Sequence, residues 1–123
     1  MIKRNVVHIE IPAKNPQVAG KFYEDLFGWK VSSVPEINYF MWDPEEGPGG
    51  GFTDVTKENP AGMVLLYINS ENIEVDLKKA ASLGGKIIAH KKEIPNYGWF
   101  GLFQDPTGNT IALYTGLDPM RNP

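Results

Sequence analysis

The feature that most constrains this chain is an internal repeat. Under one ungapped shift of 57 residues Val7 meets Val64, Ile9 meets Leu66, Ile11 meets Ile68 and Val18 meets Val75. The same shift sets Leu26 on Leu83, Gly28 on Gly85, Val31 on Ile88 and Gly51 on Gly108. Apolar letters coincide easily, but two glycines in register at the same point of each copy do not. A self-similar period of this length implies one supersecondary unit used twice.

Each copy reads in the same order. Val6–Ile11 alternates, with Val7, Ile9 and Ile11 on one face and His8 and Glu10 on the other, which predicts a half-buried strand closed by Pro12. Asn15-Pro16 is a helix start, an amide-capping side chain followed by the proline that suits the first helical position. Val18, Phe22 and Leu26 recur at helical spacing and are expected to face the core; Gly28 stops the helix. Gly20 inside it costs about 1 kcal/mol against alanine. Strands follow at Lys30–Val34, Tyr39–Trp42 and Phe52–Val55. The second copy repeats the plan: strand Met63–Ile68, helix Asn72–Leu83 with Ile73, Leu77 and Ala81 on one face, then strands Lys86–Ala89, Trp99–Gln104 and Asn109–Thr115. The prediction is one α+β domain over 1–123, with two β-α-β-β-β repeats at about 5–56 and 62–116. The repeats form a curved mixed sheet around an open cleft, with helices on the outer face.

Composition narrows the function. A formal net charge of −3 gives no electrostatic grip on nucleic acid or an anionic membrane. The absence of cysteine excludes disulfides, thiolate metal sites and a cysteine nucleophile. No apolar run reaches the roughly 18 residues of a membrane span, and the first residues carry no secretory signal pattern. The expectation is a soluble, cytoplasmic protein.

Chemistry-bearing residues are few. His8 and Glu10 share a strand face, with Cα atoms about 6 to 7 Å apart. They read either as an acid–base pair or metal ligand with an acidic neighbour, or as a polar pair at a cleft mouth or subunit contact. His90, beside Lys91-Lys92, reads as a solvated loop histidine. Gly47-Pro48-Gly49-Gly50-Gly51 lacks the Lys-Ser/Thr ending and the following helix of a phosphate loop, and reads as a mobile loop or lid. By strand phase, Leu65, Tyr67 and Asn69 share the inner face with Ala112 and Tyr114, an apolar and aromatic lining with few polar handles. The phase of the strands holding Trp42 and Trp99 stays open.

The motifs "HIEIP" at 8–12, "FYEDLFGW" at 22–29, "LGGK" at 83–86 and "QDPTGN" at 104–109 resemble the vicinal oxygen chelate superfamily. That superfamily includes glyoxalase I, extradiol dioxygenases and bleomycin- and fosfomycin-resistance proteins. The chain is most similar to small glyoxalase-like proteins related to lactoylglutathione lyase. The resemblance implies a cleft between facing sheets and, in many members, a divalent metal held by the first and fourth strands of each copy. Carried across, those positions are His8, Leu65, Ala112 and a position near Phe52–Asp54 where only Asp54 offers a donor. His8 is the one strong ligand, so no complete metal site and no cofactor is expected.

Three functions follow from this reading. The leading one is a glyoxalase/bleomycin-resistance-type protein that binds a small apolar or aromatic molecule in the inter-repeat cleft. The second is a lyase or isomerase acting next to a carbonyl, with Glu10 or His8 as base and any metal held through His8. The third is a protein-interaction module. The resemblance and the open sheet edges imply a homodimer.

Overall fold

The computed structural model describes residues 2–37 and 39–117; Met1, Asn38 and 118–123 lie outside the described residues. Eight strands and two α-helices follow one another as β1 (Val6–Ala13), α1 (Pro16–Phe27), β2 (Lys30–Val34), β3 (Tyr39–Asp43), β4 (Gly50–Asp54), β5 (Leu65–Asn69), α2 (Ile73–Ser82), β6 (Lys86–Ile94), β7 (Gly98–Gln104) and β8 (Thr110–Gly116). A single 3-10 turn, Pro35–Ile37, precedes β3. The order is β-α-β-β-β twice, as the repeat predicts, and the class is α+β. The chain divides into two compact units. One is His8–Leu66; the other joins the amino-terminal residues up to Val7 to the chain from Tyr67 onward.

In the first unit the strand order is β2-β3-β4-β1. β1 and β4 run parallel with Glu10 opposite Gly51 and Ile11 opposite Phe52, and the other pairs are antiparallel. The helix starts as the sequence predicts: the Asn15 side chain accepts from the amides of Gln17 and Val18 at 3.1 and 3.2 Å. It ends on Gly28, left-handed at φ 76°, whose N–H donates to the Glu24 carbonyl. The core comprises Ala13, Trp42 and Phe52, with Ile9, Ile11, Ala19, Tyr23, Trp29, Val31 and Phe40 packed around them. Trp42 therefore faces the helix.

One expectation fails here. Val18, Phe22 and Leu26 are not core residues: they are 64%, 57% and 58% exposed. The buried stripe runs one residue further on, through Ala19, Gly20 and Tyr23. Apolar residues cover more than half of the helix circumference, so periodicity alone does not choose which part packs. Close approach decides it. A Cβ at Gly20 would stand 2.8 Å from Val31 Cγ1, so glycine lets the helix reach β2. Tyr23 then stacks on Phe52 and Trp29, with ring centroids 5.6 and 5.5 Å away.

In the second unit the order is β5-β8-β7-β6. β5 and β8 run parallel with Tyr67 opposite Ala112, and β7 is antiparallel to both neighbours. Asn72 caps α2 by accepting from the Val75 amide. Ile73, Leu77 and Leu113 are buried, with Ile68, Ile87, Trp99 and Phe103 against them; Ala81, expected beside them, is exposed. The amino-terminal segment is tied to this unit. Arg4 makes a bidentate pair with Asp76 at 2.6 and 2.7 Å, and the Asn69 side chain donates to the Lys3 carbonyl. The offset of 57 carries no sign of that attachment. The turn 105–109 is held by Asp105, whose carboxylate accepts from the amides of Thr107, Gly108 and Asn109.

Candidate functional site

The polar face predicted for β1 exists. Ile9 and Ile11 pack into the core, and alternation turns His8 and Glu10 the other way. On β3, Phe40 and Trp42 join the core, so Tyr39 and Met41 share the face of His8 and Glu10. Tyr39 links the pair. Its hydroxyl donates to Glu10 Oε2 at 2.7 Å and lies 2.9 Å from His8 Nε2. Its one proton is spent on Glu10, so the Tyr39 oxygen accepts from His8, and the neutral imidazole carries its hydrogen on Nε2. The His8 and Tyr39 rings are stacked, with centroids 6.2 Å apart.

Gly51 makes this possible. It pairs with Glu10 across β1–β4 and with Met41 across β3–β4. A Cβ there would overlap the Tyr39 ring. The phenol therefore crosses β4 above a residue without a side chain and reaches β1. Sequence reasoning placed Gly51 in a mobile loop and Tyr39 among undifferentiated aromatics. The signal was present: bulky apolar Phe40 and Trp42 alternate with Tyr39 and Met41, and two glycines open the next strand.

Burial sets the protonation of this group. Desolvation pulls the His8 pKa from 6.5 down to about 4, so the ring is neutral at physiological pH. A base this weak is poorly matched to proton abstraction near pH 7.

In the second unit Leu65, Tyr67 and Asn69 of β5 and Ala112 of β8 are all buried on one sheet face. Tyr114, opposite Asn69, is half-buried on the same face, and its hydroxyl donates to the Tyr97 carbonyl at 2.8 Å. The predicted inner-face set is thus one surface. His90 lies in β6 rather than in a loop and is exposed, 2.9 Å from Glu74 Oε1. Trp99 packs toward α2.

The strand registers locate the four positions at which the resemblance implies metal ligands. The strand registers make Gly51 the counterpart of Ala112, each beside the residue two positions after His8 or Leu65. Asp54, the expected donor of the first copy, falls on the Phe52 side of β4, away from His8, and is exposed. Among the described residues no group of three or more His, Cys, Asp or Glu side chains is arranged to hold a metal ion. The donors at the four positions do not fit a divalent metal, since glycine, leucine and alanine side chains offer no N or O.

Comparison with known proteins agrees with the fold. The model of the Glyoxalase/Bleomycin resistance protein/Dioxygenase superfamily matches residues 5–113. This chain belongs to that superfamily. A glyoxylase-like domain-containing protein of Didymella fabae is 30% identical over 115 residues, covering 87% of this chain and 90% of that protein. A Mycobacterium bovis protein named as a glyoxylase, CFP32, is 29% identical over 114 residues; the match covers 89% of this chain but 42% of that protein. Among solved structures, a superfamily member from Vibrio splendidus superposes with TM-score 0.64 at 16% identity, covering 94% of this chain and all of that one. Methylmalonyl-CoA epimerase from Mycobacterium tuberculosis superposes with TM-score 0.67 at 13% identity, covering 94% and 89%. At these identities the two structures share the fold.

Proposed function

We propose that this protein binds a small apolar or aromatic molecule and lacks a complete metal site. In each unit the candidate ligand surface is the sheet face turned away from that unit's helix: in the first it offers His8, Glu10 and Tyr39 as fixed polar handles, and along β5 and β8 it offers the apolar lining Leu65, Tyr67, Asn69, Ala112 and Tyr114. The observation that carries this reading is the His8–Tyr39–Glu10 hydrogen-bond chain. It keeps the imidazole engaged while burial keeps it neutral, which suits recognition better than proton transfer. The test has two arms. Dialysed protein is incubated with zinc, nickel, manganese or ferrous iron and its metal content measured. The expected result is far less than one metal per chain; near one per chain, lost in His8→Ala, would overturn the reading. A thermal-shift panel of planar aromatic and aliphatic compounds should then give stabilisation that is reduced in His8→Ala and lost in Tyr67→Ala.

A second reading is a lyase or isomerase acting next to a carbonyl. One observation favours it: the Glu10 carboxylate accepts the Tyr39 hydroxyl proton on a part-buried face, an arrangement able to receive a substrate proton. The fold shared with epimerases supports it. Turnover lost in Glu10→Gln but kept in His8→Gln would select it.

The protein is further proposed to be a cytoplasmic homodimer. Val18, Phe22 and Leu26 form an exposed apolar stripe, and β2 and β6 are the last strands of their orders. Light scattering should give twice the 13.7 kDa chain mass; a value near one chain at micromolar concentration would contradict it.

A further inference from the structure

The two copies differ most beneath their helices. In the first, four rings close the space between α1 and the sheet. Tyr23 stacks on Phe52 and Trp29, Trp29 on Trp42 at 4.9 Å, and Trp42 lies 5.1 Å from Phe52. The registers identify the matching positions in the second copy. Ile11 faces Phe52 as Ile68 faces Leu113, and Trp42 faces Gly50 as Phe103 faces Ile111. The repeat shift puts Ala80 where Tyr23 stands, and the strand registers put Gly85, two residues before Ile87, where Trp29 stands two residues before Val31. Of the four ring positions only that of Trp42 keeps a ring, Phe103; Leu113 stands in for Phe52, and the Tyr23 and Trp29 rings are missing altogether.

Where they are missing there is a cavity of about 400 Å³ lined by Ile68, Ala80, Leu83, Gly85, Phe103 and Leu113. That volume lies within the usual range for small-molecule sites. Its walls are apolar; four charged residues stand at its rim, of which Arg4 and Asp76 neutralise each other in a bidentate pair and Lys79 and Asp105 are of opposite sign. It lies on the helix side of the second unit, whereas Tyr67 and Ala112 occupy the opposite face of the same sheet.

We propose that this cavity is a second binding site, for an uncharged planar aromatic molecule that takes the place Tyr23 and Trp29 fill in the first copy. The ring lies against Phe103, in the way that Trp29 lies against Trp42. Nothing in this site depends on the His8 face.

The test uses the missing side chains as free molecules, p-cresol and 3-methylindole. Each is titrated into the full-length, ¹⁵N-labelled protein while amide shifts are followed. Saturable shifts are expected at Ala80, Leu83, Gly85, Phe103 and Leu113. Ala80→Tyr and Ala80→Phe, which refill the space from within, should abolish those shifts while keeping a dispersed spectrum, and should raise the thermal midpoint. Shifts confined to Tyr67, Ala112 and the His8 face, shifts at α2 that persist in both filled variants, or no saturable shift with either probe would each overturn the proposal.

Discussion

The two units share a backbone plan and divide their side chains in opposite ways. The first fills its helix side with stacked aromatic rings and carries its chemistry, His8, Tyr39 and Glu10, on the other sheet face. The second keeps that other face apolar, with Leu65, Tyr67 and Ala112 buried on it, and leaves a cavity beneath its helix. The backbone hydrogen bonds of a β-α-β-β-β unit lie within its sheet and helix and do not decide how either sheet face is filled. Which face is filled from within, and which is left for something else, depends on side-chain volume. Glycine and alanine mark the places where the copies diverge: Gly51 admits the Tyr39 ring, and Ala80 omits the ring that Tyr23 supplies.

The largest effects should come from the two cores. Phe52→Ala and Leu77→Ala each remove a fully buried side chain, and each should cost about 3 to 5 kcal/mol in denaturant melts. Equal losses in both would show that the cavity beneath α2 does not loosen the second core. A loss under about 1 kcal/mol for Leu77→Ala would mean that the second unit is already slack there.

The next effect separates the units by pH. His8 has a folded pKa of about 4 against 6.5 when unfolded. The unfolded chain binds the proton more readily between those values, so stability is fully present above 6.5 and falls as pH drops toward 4. The loss should amount to about 2 to 3 kcal/mol, and His8→Gln should remove it. A pH dependence unchanged in His8→Gln would place its source elsewhere.

Helix boundaries, the order of elements along the chain and the phase of β1, β5 and β8 were legible in the sequence because caps, glycine stops and alternation act locally. Asn15, Gly28 and Asn72 do what their residue types predict. The register of the helix face was not legible. Val18, Phe22 and Leu26 fit a helical period as well as Ala19 and Tyr23 do, and only contact with β2 through Gly20 separates them. At the site, His8 and Glu10 were readable from alternation. Tyr39 was not, because its role depends on a missing Cβ on the adjacent strand, at Gly51, and not on its own neighbours in sequence.

Smaller effects sharpen that point. Tyr39→Phe removes the hydroxyl joining His8 to Glu10 and should cost about 1 to 2 kcal/mol. Gly51→Ala forces the ring aside and should cost a similar amount, about 1 to 3 kcal/mol. The double variant should cost little more than either alone, since both break one arrangement; full additivity would separate them. At the low end, Phe22→Ala and Leu26→Ala, on the exposed stripe, should each change monomer stability by no more than about 0.5 kcal/mol. A core-sized loss would show that the stripe is covered in solution.

The central claim is that the His8–Tyr39–Glu10 face is a fixed recognition surface whose imidazole is neutral. Its most direct test is a titration of the His8 imidazole nitrogens by NMR, with and without added zinc. The account predicts a pKa of about 4, the neutral-form hydrogen on Nε2, and nitrogen shifts that zinc leaves unchanged. A pKa at or above 6.5, a lone pair on Nε2, or zinc-dependent shifts would contradict it.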